Sequence, residues 1–158
     1  MLALITGASS GIGKEMAYYL GELGYDLILV ARRKERLEEL KKHIKTKVTI
    51  YAYDLLKEEN LYQLYENVKP LSIDLLINNA GFGLFGMFDQ TDLNRELEMI
   101  DLNIKAYHIL TKLFLKDFIA KDQGRILNVA SAAGFLAGPR LNTYYATKNY
   151  VAKLSMGI

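Results

Sequence analysis

Leu2-Ala3-Leu4-Ile5-Thr6-Gly7-Ala8-Ser9-Ser10-Gly11-Ile12-Gly13 decides the fold. A short apolar run ends at Thr6 in a glycine turn, and the turn opens an amphipathic stretch, Lys14 to Leu23. Phosphate binding at a helix start needs outward-facing backbone N–H groups with no side chain in the way. Glycine supplies both the close approach and the unusual dihedrals. The glycines at 7, 11 and 13 give G-x-x-x-G-x-G, a different spacing from the better-known G-x-G-x-x-G. As a bare string this is also compatible with a plain tight turn; its place after a strand and before a helix favours a nucleotide. No Lys-Ser or Lys-Thr stands where a phosphate loop of an NTPase requires it.

Outward from this turn, apolar runs alternate with helical patterns. Leu2–Thr6, Asp26–Ala31, Val48–Ala52, Asp74–Asn78 and Arg125–Ala130 read as strands without in/out alternation, as expected when both faces are covered. Helical patterns fall near 13–23, 34–45, 57–68 and 94–120, and a further helix starts at Asn142 and runs on to Ile158. Strand–helix alternation predicts an α/β fold: a doubly wound parallel sheet in three layers, αβα, with 125–130 at one edge. The 158 residues predict a single domain over 1–158. With 51% hydrophobic residues the chain can bury a core, and a net charge of +2 argues against nucleic acid as the main partner. The mixed charges of Glu35 to Lys45 read as a solvated helix face. There is no cysteine, hence no disulfide, thiolate nucleophile or cysteine metal site. No metal site is expected. No apolar run approaches the ~20 residues of a membrane span, so a cytoplasmic protein without a membrane partner is the expectation.

Discrimination between dinucleotides belongs about 20 residues beyond the glycines, where an acid suits the ribose hydroxyl of NAD and an arginine the 2′-phosphate of NADP. The chain has Ala31-Arg32-Arg33 there and no acid. An arginine offers a planar fork of donors to phosphate, which points to NADP (NADPH), with NAD the lesser candidate. Arg32 is the stronger candidate and Arg33 the second; alternatively both are the charged start of a surface helix.

Tyr-x-x-x-Lys occurs three times, at Tyr53/Lys57, Tyr65/Lys69 and Tyr144/Lys148. Only the last has a serine, Ser131, just past a buried strand at the carboxyl end of the sheet, where ligands of open α/β sheets bind. A free tyrosine has a pKa of about 10, too high to shuttle protons well at neutral pH. A lysine one helical turn on shares its face and favours the phenolate. Ser131 could hold a substrate oxygen by a hydrogen bond. His43 and His108 fit no catalytic arrangement.

Together Thr6-Gly7-x-x-x-Gly11-x-Gly13, Asp54-Leu55 after the third strand, Asn78-Asn79-Ala80-Gly81 after the fourth, Asn103, Ser131, and Tyr144 with Lys148 resemble the short-chain dehydrogenase/reductase family over nearly the whole chain. The resemblance implies a Rossmann-like fold and an NADP(H)-dependent oxidoreductase that transfers a hydride between the nicotinamide and a small carbonyl or alcohol substrate. It implies that Gly7 to Gly13, with Ser9, Ser10, Gly11 and Ile12 between them, embrace the pyrophosphate and adenosine ribose. Asp54 would meet the adenine with Leu55 beside it; Asn79, Ala80 and Gly81 would line the cofactor cleft. Tyr144 would be the general acid/base, Lys148 would bind the nicotinamide ribose, Ser131 would polarise the carbonyl, and Asn103 would hold a relay water. Simpler readings stay open for some of these: a helix-breaking Asn103, a strand-ending turn at Asn78-Asn79, an Asp54 that caps the next helix.

The resemblance also implies strands, a nicotinamide-side turn and a substrate loop beyond residue 158. The expectation is that the chain is a piece of a longer enzyme that forms a homo-oligomer when complete. Two other functions compete: a non-catalytic NADP-binding or inactive relative, and a nucleic-acid or scaffold module supported only by the basic stretch 32–47. Gly83 to Phe88 and Phe135 to Leu141 are expected beside the substrate; Phe82, Phe85, Met87, Phe88, Phe135 and Leu136 read either as an apolar pocket or as core.

Overall fold

The computed structural model describes residues 1–158. Five strands form one parallel sheet: β1 (Leu2–Thr6), β2 (Asp26–Val30), β3 (Val48–Tyr51), β4 (Leu75–Asn78) and β5 (Arg125–Asn128), in the order β3-β2-β1-β4-β5. The order reverses between β1 and β4, which opens a crevice at their carboxyl ends. Register is continuous across the sheet: Leu4 lies between Ile28 and Leu76, and Ile77 beside Leu127.

Alternate strand residues feed two cores. Leu4, Ile28 and Leu76 pack against α3 (Glu58–Val68) and α5 (Tyr107–Ala120) through Leu61, Leu64, Leu110 and Phe114. Ala3, Ile5, Leu27, Leu29 and Ile77 pack against α1 (Gly11–Glu22) and α2 (Lys34–Lys42) through Ala17, Leu37 and Leu40. Helices therefore cover both faces, which is the three-layer Rossmann-like arrangement expected from the alternation of elements. The central strands β1 and β2 are buried nearly throughout, whereas β3 and β5 are the edges and are more accessible.

Element ends differ from the sequence expectation by one to three residues. β2, β3 and β5 stop at Val30, Tyr51 and Asn128, and Ala31, Tyr53 and Val129 beyond them line the crevice. The long helical pattern is α4 (Leu93–Ile100), a π-helical stretch Asp101–Ala106 and α5, continuous to Ala120. Two short 3-10 turns, Lys69–Leu71 and Ala132–Phe135, were not expected. The latter packs on α6 (Asn142–Gly157). Gly134 permits that packing, since a Cβ there would lie 2.9 Å from the Lys148 carbonyl oxygen. No helix is long and apolar enough to cross a membrane.

Candidate active site

Thr6 is the last residue of β1, and its side chain joins β1 to β4. Its hydroxyl oxygen accepts from the N–H groups of Asn79 (2.9 Å) and Ala80 (3.1 Å). The Asn79 amide in turn donates to the carbonyls of Thr6 (3.0 Å) and Gly7 (3.3 Å). The glycine turn is thus fastened to the segment after β4, closely enough that side chains do not fit between them. A Cβ on Gly7 (φ 67°) would lie 2.7 Å from the Ala80 Cα, and one on Gly13 would lie 2.4 Å from the Asn79 Nδ2. Gly11 (φ 55°) differs: nothing lies within 4 Å of the place its Cβ would take. Two of the glycines serve packing; the third keeps the helix start open.

That helix start suits an anion. The first N–H groups of a helix have no intrahelical acceptor, α1 carries no acid in its first turn, and the N-cap Ser10 makes no capping bond. The Ser10 hydroxyl instead faces Arg33, whose guanidinium donates to Ser9 Oγ (3.3 Å) and Ser10 Oγ (3.2 Å). Both arginines line the same cavity, and it is Arg33, the second candidate from sequence, that is bonded to the turn. Fork, hydroxyls and free N–H groups together match the donor set a phosphate needs.

The cavity measures about 610 Å³. It runs from Arg32, Arg33 and Asp54-Leu55, across Gly7 and Ser9 to Ile12, along Asn79, Ala80 and Gly81, to Tyr144 and Lys148. Asp54 does not cap the following helix. The N-cap of α3 is Lys57, while the Asp54 carboxylate accepts from the Leu56 N–H in a local turn (3.2 Å). Asn78 points inward, away from the cavity, and its amide donates to Thr111 (3.1 Å) and Asn128 (2.8 Å).

Tyr144 stands in the first turn of α6, with Lys148 one turn on. Lys148 is 5% exposed, and its ammonium donates to the Val129 carbonyl (2.9 Å). It lies 5.9 Å from the centroid of the Tyr144 ring and 5.4 Å from that of Tyr107. Burial pushes the lysine pKa down. Tyr107, whose hydroxyl also reaches the Val129 carbonyl, is pushed up, first by burial and then by neighbouring Tyr144. Gly83 lies against the ring of Tyr144: a Cβ there would come 3.2 Å from its Cδ2.

Asn103, Ser131 and Gly13 are not among the lining residues. Asn103 is wholly buried in the π-helical stretch, and its amide bridges Phe82 N–H (3.1 Å), Phe82 C=O (2.9 Å) and Thr147 Oγ1 (3.1 Å). It breaks no helix; it ties the strip Gly81-Phe82 to α6, with its Oδ1 2.8 Å from where a Gly81 Cβ would stand. Ser131 follows Ala130, which does line the cavity, and its Oγ accepts from the Ala133 N–H (3.1 Å). That bond leaves the hydroxyl hydrogen free for another acceptor.

Sequence reasoning passed over Tyr53, Arg95, Leu102 and Val129, which also line the cavity. Arg95 was legible only as a surface charge; in the structure its guanidinium sits 4.8 Å from the Phe82 ring centroid. Phe85, Phe88 and Phe135 are 68%, 65% and 68% exposed, so they are not core. His108 meets the Tyr150 hydroxyl (2.6 Å) between α5 and α6, away from the cavity.

The family model for short chain dehydrogenase matches residues 1–158, and the chain belongs to that family. It is 33% identical over 159 residues to a probable NADP-dependent dehydrogenase of Haemophilus influenzae, covering 99% of this chain and 63% of that protein. It is 31% identical over 157 residues to the very-long-chain 3-oxoacyl-CoA reductase of Rattus norvegicus, covering 94% of this chain and 50% of that one. A short-chain dehydrogenase from Sphingobium yanoikuyae, solved in complex with NADPH, superposes with a TM-score of 0.93 at 35% identity, covering 99% of this chain and 63% of that one. The chain thus spans about half to two-thirds of the length of these relatives.

Proposed function

We propose that this chain is the cofactor-binding and proton-transfer part of an NADP(H)-dependent oxidoreductase, acting on a small carbonyl or alcohol substrate with Tyr144 as general acid/base, and that residues 1–158 act as one domain. The observation that carries this reading is that one cavity holds the Arg33–Ser9–Ser10 corner at one end and the Tyr144–Lys148 pair at the other. The names of relatives that use or bind NADP support the choice of cofactor. Open space over Gly11 and the donor set around it fit a dinucleotide phosphate. When bound, NADPH supplies the hydride for carbonyl reduction.

The chain's own residues would do the rest. Arg33 and Arg32 would hold the 2′-phosphate, and the N–H groups at the start of α1 the pyrophosphate. The Tyr144 hydroxyl would donate its proton to the substrate oxygen, and the Lys148 ammonium would stabilise the phenolate left behind. The Val129 carbonyl fixes that ammonium. Ser131 would donate its free hydroxyl hydrogen to the same substrate oxygen, and Asn103 would hold Gly81-Phe82 and Thr147 in register. In oxidation Tyr144 would act as the base.

Fluorescence titration with NADPH and NADH tests the cofactor half: micromolar NADPH binding with much weaker NADH is expected, and equal affinities would overturn the arginine assignment. Tyr144→Phe tests the chemical half. It is expected to bind NADPH like the parent and to lose turnover by at least ~100-fold. Full turnover in that variant would leave a protein that binds cofactor without using Tyr144.

A further inference from the structure

Among the acidic side chains, Glu96 is buried, 9% exposed, and lies outside the cavity that holds Tyr144 and Lys148. It occupies the first turn of α4. Burying a carboxylate is costly unless its oxygens are matched by donors. Both are: Oε1 accepts from the Thr91 hydroxyl, and Oε2 accepts from the Thr143 hydroxyl at 2.8 Å. Thr143 immediately precedes Tyr144.

The first turn of α6 needs such a partner. Its N-cap, Leu141, has no side-chain acceptor for the free N–H groups, and no acid stands in its first turn. The residue before the cap, Arg140, has φ 66°, a conformation that a non-glycine side chain rarely adopts. Its carbonyl accepts from the Gly86 N–H (2.9 Å), so the chain entering α6 is held by the loop before α4 and not by its own caps. A carboxylate at a helix start also complements the helix dipole, and here α4 supplies it. Seven residues on from Glu96, two turns along the same helical run, Asn103 bonds Thr147, whose hydroxyl donates to the Tyr144 carbonyl (2.8 Å). Tyr144 is therefore bracketed, with Glu96 holding the residue before it and Asn103 the residue three after it.

We propose that Glu96 is a positioning residue for Tyr144: through Thr143 it fixes the first turn of α6 and so the place from which the tyrosine delivers its proton. This rests on the reading of Tyr144 as the proton-transfer group. A displacement of about 1 Å at such a group is worth up to roughly 100-fold in rate.

The test compares Glu96→Ala, Thr143→Val and Thr143→Ser in the purified protein, with amide hydrogen exchange and NADPH-dependent turnover read together. Glu96→Ala and Thr143→Val are each expected to lower kcat by roughly 10-fold or more while leaving the KM for NADPH within about 2-fold. Exchange should quicken at the amide of Tyr145, which donates to the Leu141 carbonyl, and not at Val151 or Ala152. Thr143→Ser keeps the hydroxyl and should restore both readouts, and the double variant should be no worse than either single one, as residues of one unit behave. If Glu96→Ala does not fold, the Thr143 pair decides alone. Unchanged exchange and kcat in Thr143→Val, or a loss that Thr143→Ser fails to restore, would overturn the proposal. Tyr144→Phe is run beside them without substrate-independent ambiguity: if it retains turnover, the catalytic reading of Tyr144 fails, and faster exchange in Glu96→Ala would then show a clamp that serves only the fold.

Discussion

Glycines that look alike in the sequence have different tasks in the structure. Gly13 is packed against the Asn79 amide, and an added methyl would lie 2.4 Å from its Nδ2 and 2.6 Å from the Gly7 carbonyl oxygen. Gly11 faces open space but has φ 55°. Gly13→Ala must therefore break the Thr6–Asn79 fastening, and a loss of roughly 2 kcal/mol or more in unfolding free energy is expected in urea melts. Gly11→Ala meets only the left-handed backbone penalty, about 1 kcal/mol, yet places a methyl where the cofactor phosphates would approach. It should stay folded and lose NADPH affinity by more than 10-fold; normal affinity would show that Gly11 does not face the ligand. Lys148 makes the stability of the fold depend on pH. Burial lowers its pKa in the folded protein, so between that lowered value and the ordinary 10.5 the unfolded chain binds more protons and stability rises with pH. Below the lowered value the whole cost of the buried ammonium is present. Lys148→Met removes that cost, and the Val129 carbonyl keeps the Tyr107 hydroxyl as a partner. The variant should melt higher than the parent at neutral pH, by ~2–4 °C for each kcal/mol, with the gain shrinking as pH climbs toward 10.5, and it should lose turnover. A lower, pH-independent Tm would mean that the carbonyl and the two ring faces more than offset the burial.

The elements show where sequence reading reached its limit. Each strand and each of the main helices was legible, because apolar runs and 3.6-residue periodicity report burial directly. The π-helical turn at 101–106 was not: widening a helix by one residue shifts the later residues around the axis without changing composition. It is this stretch that presents Asn103 to both Phe82 and Thr147. Glu96 was also invisible, since Arg95-Glu96-Leu97-Glu98 reads as an ordinary charged helix face, and the acid is buried by tertiary packing, held by Thr91 before α4 and Thr143 of α6. The motif residues were legible as types and places, but their bonds were not; Arg33 rather than Arg32 reaches the serines because its side chain, the N-cap of α2, points back over the turn. The connection from α5 to β5 is a further case. Gly124 has φ 138°, and a Cβ there would lie 2.3 Å from Cγ of Phe118, itself in the core beside Phe114. Gly124→Ala combines backbone strain with a ring displaced from the core, and a loss of about 2–4 kcal/mol is expected. Chemical denaturation measures it; a loss below ~0.5 kcal/mol would mean that the loop relaxes freely.

At the scale of the molecule, the cavity is built from the carboxyl ends of the strands and from the segments that follow them, so the ligand site and the sheet are mechanically one object. Ala31-Arg32-Arg33 follow β2, Tyr53 to Leu56 follow β3, Asn79 to Gly83 follow β4, and Val129-Ala130 follow β5. A ligand that bridges these segments binds only where the sheet is assembled, and stabilises the folded chain by RT ln(1 + [L]/Kd), about 2.7 kcal/mol at 100 times Kd. For a chain of this size that corresponds to a Tm rise of roughly 5–10 °C. NADPH is expected to produce such a rise by calorimetry and NADH a much smaller one at equal concentration. The difference should vanish in Arg33→Ala, because the arginine bonded to Ser9 and Ser10 is the group that would distinguish the 2′-phosphate. If Arg33→Ala kept the full preference while Arg32→Ala lost it, the phosphate would belong to Arg32, and the Arg33–serine bonds would be a strut for the glycine turn. If neither variant changed it, the arginine corner would not be the discriminating end of the cavity.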